Sequence, residues 1–186
     1  MRKTVFLLAA FFFLITVTAY SQPVNKFAKK GQWEIGGTIG FVSTTPVTNG
    51  NTDDSWSIFN FSPSVSYFVT DGFEIGGMID FQSIKPSGGS STTIYTLYAV
   101  PTYNINTDSY FYPYLQAQLG YNGYSNGESR SGIAWSLGGG VKANFVTNGL
   151  LKFGINYTQQ TLNKSGDTER DGFNIFSVVL GAGVFF

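Results

Sequence analysis

The sequence has 186 residues, with 11 basic and 11 acidic side chains, so its formal net charge is zero. Charged residues make up 12% of the chain, about half of the roughly 25% that is usual in soluble domains. A chain without a basic surface has no electrostatic attraction for the phosphate backbone, which argues against nucleic acid as a partner. The absence of Cys excludes a disulfide framework and a thiolate metal site.

The first residues follow the order of a secretory signal peptide. Arg2 and Lys3 form a basic start, and residues 5–17 are an apolar run rich in Phe, Leu and Ala. Ala19 and Ser21 then supply the small residues of a cleavage site. The run is shorter than the about 20 residues that a transmembrane helix needs. The sequence therefore predicts a signal peptide over 1–21 and a periplasmic lead-in over 22–32, with an uncleaved anchor helix as the alternative.

From residue 33 to residue 186, eight segments alternate apolar residues with small or polar ones. In the first segment Trp33, Ile35 and Ile39 share one row, and Glu34 and Thr38 lie in the other. A period of two is the signature of a strand with two different faces. The pattern predicts an all-β fold, an eight-stranded antiparallel up-and-down transmembrane β-barrel, as a single domain over 33–186.

The connections between these segments alternate in length. Tight turns with hairpin chemistry lie at 70–72, 106–108 and 147–149, and longer polar stretches lie at 44–55, 85–92, 123–131 and 163–171. Short turns on one side and long loops on the other are typical of transmembrane barrels, with the short turns in the periplasm. An even number of strands then predicts that both chain ends are periplasmic.

The aromatic residues are sorted by height along the apolar rows, with aliphatic and small residues between them. At the turn end lie Trp33, Tyr67, Phe73, Tyr103, Phe111, Phe145 and Phe186, and at the loop end lie Phe41, Phe81, Tyr95, Tyr121, Trp135, Tyr157 and Phe176. Two such girdles match the two interfaces of a membrane. A soluble barrel or sandwich would have no reason for this sorting, so the membrane interpretation is favoured.

Three prolines lie inside predicted strands: Pro63, Pro101 and Pro113. Proline has no N–H to give to a strand ladder and belongs at edges or bulges. A closed barrel has no edges, so we expect bulges or weakened pairing at these three positions.

Four charged residues of the inward rows lie near the turn end: Glu34, Glu74, Lys142 and Lys152. An eight-stranded barrel is just wide enough to be filled by its own side chains. We expect these acids and bases to form an ion-pair and hydrogen-bond network that plugs the lumen. The alternative is a charged constriction in a water-filled channel for small solutes.

The sequence offers little for catalysis or cofactors. It contains no His, so the usual general base at neutral pH is missing. Glu34, Glu74 and Asp80 carry inward carboxylates, but structural pairs in the lumen are the better interpretation. Residues 49–54 hold oxygen ligands at close spacing without the closing Glu of a calcium loop, and a solvated turn is expected there. We predict no enzyme activity, no cofactor and no metal.

The last predicted strand carries the outward row Phe176, Val178, Leu180, Ala182, Val184 and Phe186. Its ending, with Gly181, Val184 and the terminal Phe186, resembles the C-terminal insertion signal of outer-membrane barrels. Together with the eight alternating segments, it makes the chain similar to the family of small eight-stranded outer-membrane proteins that includes OmpX and the transmembrane domain of OmpA.

The resemblance implies a bacterial outer-membrane location, insertion by the barrel assembly machinery, and contact with outer-membrane lipid and lipopolysaccharide. It also implies a non-catalytic role in envelope integrity or in surface interaction, with an extracellular ligand at the outer loops. No periplasmic peptidoglycan-binding domain is recognisable in the sequence, so tethering to the cell wall is not expected.

Overall fold

The computed structural model describes residues 26–52, 56–84, 92–107, 109–126, 128–162 and 171–186. The predicted signal peptide, residues 163–170 of the predicted outer stretch 163–171 and most of the stretch 85–92 lie outside these ranges. Within them, no helix is long and apolar enough to cross a membrane.

The described residues form antiparallel strands that pair in chain order. They are β1 (Trp33–Thr48), β2 (Asn51–Thr52), β3 (Trp56–Thr70), β4 (Phe73–Ile84), β5 (Thr92–Asn104), β6 (Phe111–Asn126), β7 (Glu128–Val146), β8 (Gly149–Thr161) and β9 (Gly172–Phe185). The two-residue β2 pairs only with the end of β1. The other eight strands close into a barrel because β1 pairs with both β3 and β9. The predicted fold class is confirmed.

Closure leaves the barrel without a free edge. The β1–β9 ladder runs without interruption from the Glu34–Phe185 pair to the Val47–Gly172 pair. Every long strand therefore has a partner on both sides, as a sheet surrounded by lipid requires, since hydrocarbon cannot satisfy backbone hydrogen bonds. We call the end with the two-residue turns Asp71–Gly72 and Thr147–Asn148 the turn end, and the opposite end the hairpin end.

Apolar side chains face outward and polar side chains face inward. Leu115 and Leu119 on β6 are each 63% exposed, whereas Gln116 and Gln118, which lie between them in the sequence, are buried. A soluble barrel would bury the leucines and expose the glutamines. The reversed arrangement is that of a barrel whose outer surface meets lipid and whose interior is polar.

Two of the predicted outer loops are largely strand, so the sequence-based boundaries there are wrong. β1 continues to Thr48, and β6 and β7 pair as far as Asn126 and Glu128. Ser, Thr and Asn residues at the hairpin end leave both faces polar, which hides the period of two but does not prevent backbone pairing. The β6–β7 hairpin therefore extends well past the apolar band.

The prolines follow the expectation at two positions out of three. Pairing of β3 with β4 is interrupted beside Pro63, and pairing of β5 with β6 is interrupted beside Pro101, with the register unchanged on both sides. Pro113 pairs without interruption with Val141, so the prediction is wrong there. Its carbonyl accepts the N–H of Ile105. The N–H that Pro113 lacks would point to the same side of β6 as this carbonyl. On that side β5 has already ended, at Asn104.

Candidate functional site at the turn end of the lumen

Lys142 on β7 joins two carboxylates from the other side of the barrel. Its Nζ lies 2.6 Å from Glu34 Oε2 on β1 and 2.6 Å from Glu74 Oε1 on β4. Neither strand neighbours β7 in the sheet, so these ion pairs cross the lumen. Glu74 also accepts hydrogen bonds from Asn104 Nδ2, at 3.0 Å, and from the Ser66 hydroxyl. This full set of partners is what makes buried charges tolerable.

Lys152 lies beside Lys142 in the β7–β8 register but has different partners. Its Nζ donates to Gln116 Oε1 at 2.9 Å and lies 4.6 Å from the ring centroid of Tyr114. None of the described carboxylates is within salt-bridge distance of it. The structure thus brings Glu34, Glu74 and Lys142 into direct contact, while Lys152 sits next to them on amide and aromatic partners.

On the turn-end side of this cluster, residues 26–32 of the lead-in fold into the mouth of the barrel. The ring of Phe27 is 1% exposed and Ala28 is fully buried. Phe27 makes edge-on contacts, with centroid distances of 5.1 to 5.2 Å, to three inward rings. We call this group the aromatic stopper; it comprises Phe27, Ala28 and the side chains that receive them, Phe68, Tyr112, Leu150 and Phe185.

Hydrogen bonds hold the lead-in against the first turn. Gly72 N donates to Ala28 O at 2.9 Å, Lys30 N donates to Asp71 Oδ1 at 2.8 Å, and Lys29 Nζ lies 2.8 Å from Asp71 Oδ2. The hydrogen bond from the Lys29 side chain, followed by that from the Lys30 backbone, lowers the pKa of Asp71. Ala28 has a φ of 64°, a left-handed conformation that a non-glycine residue keeps only when its surroundings enforce it.

The aromatic stopper was not predicted from the sequence, which indicated only a short periplasmic lead-in over 22–32. The available signal was Phe27, the one aromatic residue of that segment, together with large inward side chains at the turn end, namely Phe68, Tyr112 and Phe185, that had no assigned partner. Bulky apolar residues in the polar row of a barrel indicate a local core.

The lumen contains a cavity of about 50 Å³ that extends from the ion cluster toward the hairpin end. Most of its lining residues are polar, and they include Glu34, Glu74, Lys142 and Lys152 as well as Ser62, Asp80 and Gln118. In the half of the lumen nearer the hairpin end, several buried polar atoms have no hydrogen-bond partner. They include Gln118 Nε2, the Ser136 hydroxyl and both side-chain polar atoms of Asn122. A water needs a cavity volume of about 10–15 Å³, so the cavity has room for a few water molecules, which would satisfy Gln118, the one of these three residues that lines it.

On the outer surface, most of the predicted girdle residues are exposed. At the turn end these are Trp33, Tyr67, Tyr103, Phe111 and Phe186, and at the hairpin end they are Phe81, Tyr95, Tyr121, Trp135, Tyr157 and Phe176. Phe73 and Phe145 are half-buried, and the side chain of Phe41 lies outside the described residues. Neighbouring strands bring aromatic rings together at the same height, as in the Trp33–Tyr67 pair with centroids 5.0 Å apart.

The predicted insertion signal lies on the strand that closes the barrel. Val184 is 51% exposed, and Gly181 pairs with Thr38 of β1. A Cβ at Gly181 would lie 2.7 Å from Gly37 O, so only glycine fits this close strand contact. Phe186 and Trp33 exchange two backbone hydrogen bonds, of 2.8 and 3.1 Å. In the described part of the chain, no group of three or more His, Cys, Asp or Glu could hold a metal ion.

Comparisons with known proteins agree with this architecture. Residues 7–186 match the model of the family described as outer membrane protein beta-barrel domain. The fold is similar to the crystal structure of Neisserial surface protein A, with a TM-score of 0.69, 17% identity, and coverage of 84% of this chain and 100% of that one.

Two further solved structures share the fold. The solid-state NMR structure of the outer membrane protein AlkL has a TM-score of 0.52 at 14% identity, with coverage of 89% of this chain and 94% of that one. The N-terminal β-barrel domain of Pseudomonas aeruginosa OprF has a TM-score of 0.51 at 16% identity, with coverage of 81% and 97%. No curated protein matches the chain in sequence.

The chain belongs to the outer membrane protein beta-barrel domain family, because the family model spans nearly all of it. It is an integral β-barrel protein of the bacterial outer membrane. The resemblance to small eight-stranded barrels that the alternating rows indicated is confirmed.

Proposed function

We propose that this member of the outer-membrane barrel family is a non-enzymatic, non-conducting envelope protein that presents its outer hairpins for surface interaction. The observation that carries the proposal is the pair of 2.6 Å contacts by which Lys142 ties Glu34 to Glu74 across the lumen. The aromatic stopper fills the mouth directly beneath them. The lumen is therefore closed at two levels, by the ion pairs of Lys142 and by the aromatic stopper.

Both closures resist thermal opening. Separating Lys142 from its carboxylates would leave buried charges without partners, which typically costs about 3–5 kcal/mol. Withdrawing Phe27 would expose a ring that is now 1% exposed and empty the space between three other rings. The cavity of about 50 Å³ beside the ion cluster has room for a few waters. Passage of a solute would require both closures to give way together.

The same contacts argue against catalysis at this site. Glu34 and Glu74 already accept short hydrogen bonds from Lys142, so neither carboxylate is available as a general base. The chain also has no His.

A narrow channel is the second candidate, and one observation favours it. Gln118, Asn122 and Ser136 form a polar, incompletely hydrogen-bonded region at the hairpin half of the lumen, which is suited to water. In such a channel the Glu34–Lys142–Glu74 cluster would be the constriction that selects solutes by charge.

The orientation in the membrane is part of the proposal. Trp33 and Phe186 lie side by side at the turn end, and barrels of this kind place their short turns in the periplasm. We infer that both ends of the mature chain are periplasmic, that residues 1–21 are removed as a signal peptide, and that the barrel assembly machinery inserts the chain among lipid and lipopolysaccharide. The β6–β7 hairpin then projects from the cell surface, where an extracellular ligand would meet it.

Osmotic swelling of liposomes tests the closed lumen. Liposomes that contain the refolded mature protein are diluted into isotonic arabinose, and their swelling is compared with protein-free liposomes. We expect equal rates. As a matched control, the double variant Phe27→Ala, Lys142→Met should swell faster, which shows that the assay detects an opened barrel. Arabinose uptake by the parent protein would overturn the proposal in favour of the channel.

A further inference from the structure

Asp80 on β4 is a buried carboxylate surrounded by neutral groups. It is 5% exposed. Asn60 Nδ2 donates to its Oδ1 at 2.9 Å, the Ser62 hydroxyl donates to the same oxygen at 2.6 Å, and Gln82 Nε2 donates to its Oδ2 at 2.7 Å. None of the described Lys or Arg side chains is within salt-bridge distance of Asp80. Its negative charge is therefore hydrogen-bonded but not neutralised.

The charges that the described residues place inside the lumen do not balance. Between the aromatic stopper and the Arg130–Asp171 ion pair of the hairpin end, the described inward side chains include three carboxylates and two ammonium groups. Glu34 and Glu74 are matched by Lys142 and Lys152, which leaves Asp80 as the excess negative charge. An isolated charge in a protein interior is strongly unfavourable unless a counter-charge accompanies it.

Oxygen atoms suited to a cation lie beside this carboxylate. The amides of Asn60 and Gln82 turn their N–H groups toward Asp80, because a carboxylate only accepts hydrogen bonds. Their carbonyl oxygens are thereby left buried and without a partner. The two residues are 7% and 3% exposed, and they line the cavity of about 50 Å³ together with Ser62 and Asp80. The cavity is also lined by Glu34, Glu74, Lys142 and Lys152, so its charged lining residues carry one excess negative charge.

We propose that this cavity binds one monovalent alkali cation, Na⁺ or K⁺, on the Asp80 carboxylate and the carbonyl oxygens of Asn60 and Gln82, with water completing its shell. One carboxylate and neutral oxygens match a single positive charge. Hard cations prefer such oxygen ligands. A divalent ion would be poorly matched, because the described residues contain no group of three acidic or imidazole side chains that could hold a metal.

A cation that binds only the folded barrel must stabilise it by mass action. The effect depends on Asp80 and on the size of the ion, because a large organic cation does not fit a cavity of this volume. It does not depend on whether the lumen conducts, so a failed conductance prediction and a failed cation prediction are distinguishable.

The first test is the temperature at which the refolded mature protein loses its heat-modified gel mobility, measured in NaCl, in KCl and in N-methylglucamine chloride at equal ionic strength. We expect the parent midpoint to fall by several degrees when the alkali ion is replaced, and the isosteric Asp80→Asn variant to show the same midpoint in all three salts. Asp71→Asn, the same chemical change at an exposed turn, should keep the parent's response. A parent midpoint that ignores the cation would overturn the proposal.

The second test is crystallographic. Crystals of the mature protein grown in RbCl should show an anomalous scattering peak in contact with the Asp80 carboxylate, and absence of a peak there would contradict the assignment. An infrared band of a protonated carboxyl group at neutral pH, present in the parent and missing in Asp80→Asn, would also overturn it, because a neutral Asp80 needs no counter-ion.

Discussion

Lys142 Nζ lies 5.2 Å from the centre of the Phe27 ring, so the charge cluster and the aromatic stopper are in contact with each other. A cation at this distance from a ring is attracted to its face. Lys142 therefore has carboxylates on one side and an aromatic surface on the other. The lead-in is consequently part of the lumen's structure, and changes at the two residues should be energetically coupled.

Phe27→Ala should release the lead-in from the barrel mouth. Truncation of a buried Phe typically costs about 3–5 kcal/mol, and here it removes contacts to Phe68, Tyr112 and Phe185. The measurement is trypsin cleavage at Lys29 and Lys30 in the refolded protein, which we expect to be many-fold faster in the variant. Lys26→Ala, at an exposed position of the same segment, is the control. Equal cleavage rates in parent and Phe27→Ala would contradict the docked lead-in.

Replacement of the two lumen lysines should have unequal effects. Lys142→Met leaves Glu34 and Glu74 buried without their cation, and we expect a loss of about 3–5 kcal/mol in the free energy of unfolding. Lys152→Met removes direct contacts to an amide and a ring but leaves both carboxylates paired with Lys142, so it should cost less. Urea unfolding in detergent micelles measures both, and Glu34→Gln with Glu74→Gln should partly rescue Lys142→Met. Equal losses of unfolding free energy for the two lysine variants would show that Lys142 is not the residue on which the Glu34–Lys142–Glu74 cluster depends.

Docking of the lead-in should weaken in acid. The hydrogen bonds from Lys29 and Lys30 lower the pKa of Asp71 in the folded state, so its contribution is fully present above the ordinary Asp pKa of about 3.9. That contribution is lost as the pH falls through the lowered value. The amide resonance of Gly72, whose N–H donates to Ala28, should report the change in an NMR titration. Asp71→Asn should abolish this pH-dependent change. If the Gly72 resonance of that variant titrates like that of the parent, the change comes from another group.

Two strand glycines should differ sharply in tolerance to Ala. A Cβ at Gly140 on β7 would lie 2.0 Å from Phe153 O and 2.6 Å from Gly154 Cα, both backbone atoms of β8. At Gly77 on β4, on the lipid-facing side, the nearest atom is Tyr98 O at 3.9 Å. Gly140→Ala should fail to give a heat-modifiable band on refolding, whereas Gly77→Ala should refold like the parent. A normal band for Gly140→Ala would mean that β7 and β8 are less closely paired than described.

The barrel could be predicted from the sequence because each strand repeats one simple rule. Alternation such as Leu115, Gln116 and Leu119 along β6 specifies which side faces lipid, and a period of two has only one strand geometry. The sorting of aromatic residues by height then separated a membrane barrel from a soluble one. Proline was predicted less well, since the outcome at Pro113 depends on where the neighbouring strand ends, which periodicity does not reveal.

The interior was only partly predictable. Glu34, Glu74 and Lys142 could be placed at one height because all three lie in inward rows near the turns. Which lysine takes both carboxylates depends on side-chain reach across the lumen. The docking of Phe27 depends on a segment without periodicity, and its site is assembled from four strand ends that are distant in the sequence.

Single-channel recording in a planar bilayer is the most direct test of the closed lumen. The refolded mature protein should give no unitary conductance steps, because Lys142 and Phe27 close the same mouth. The Phe27→Ala, Lys142→Met variant should give brief, irregular openings under the same conditions. Steady unitary conductance from the parent protein would contradict the account, and it would make the Glu34–Lys142–Glu74 cluster the selective constriction of a channel.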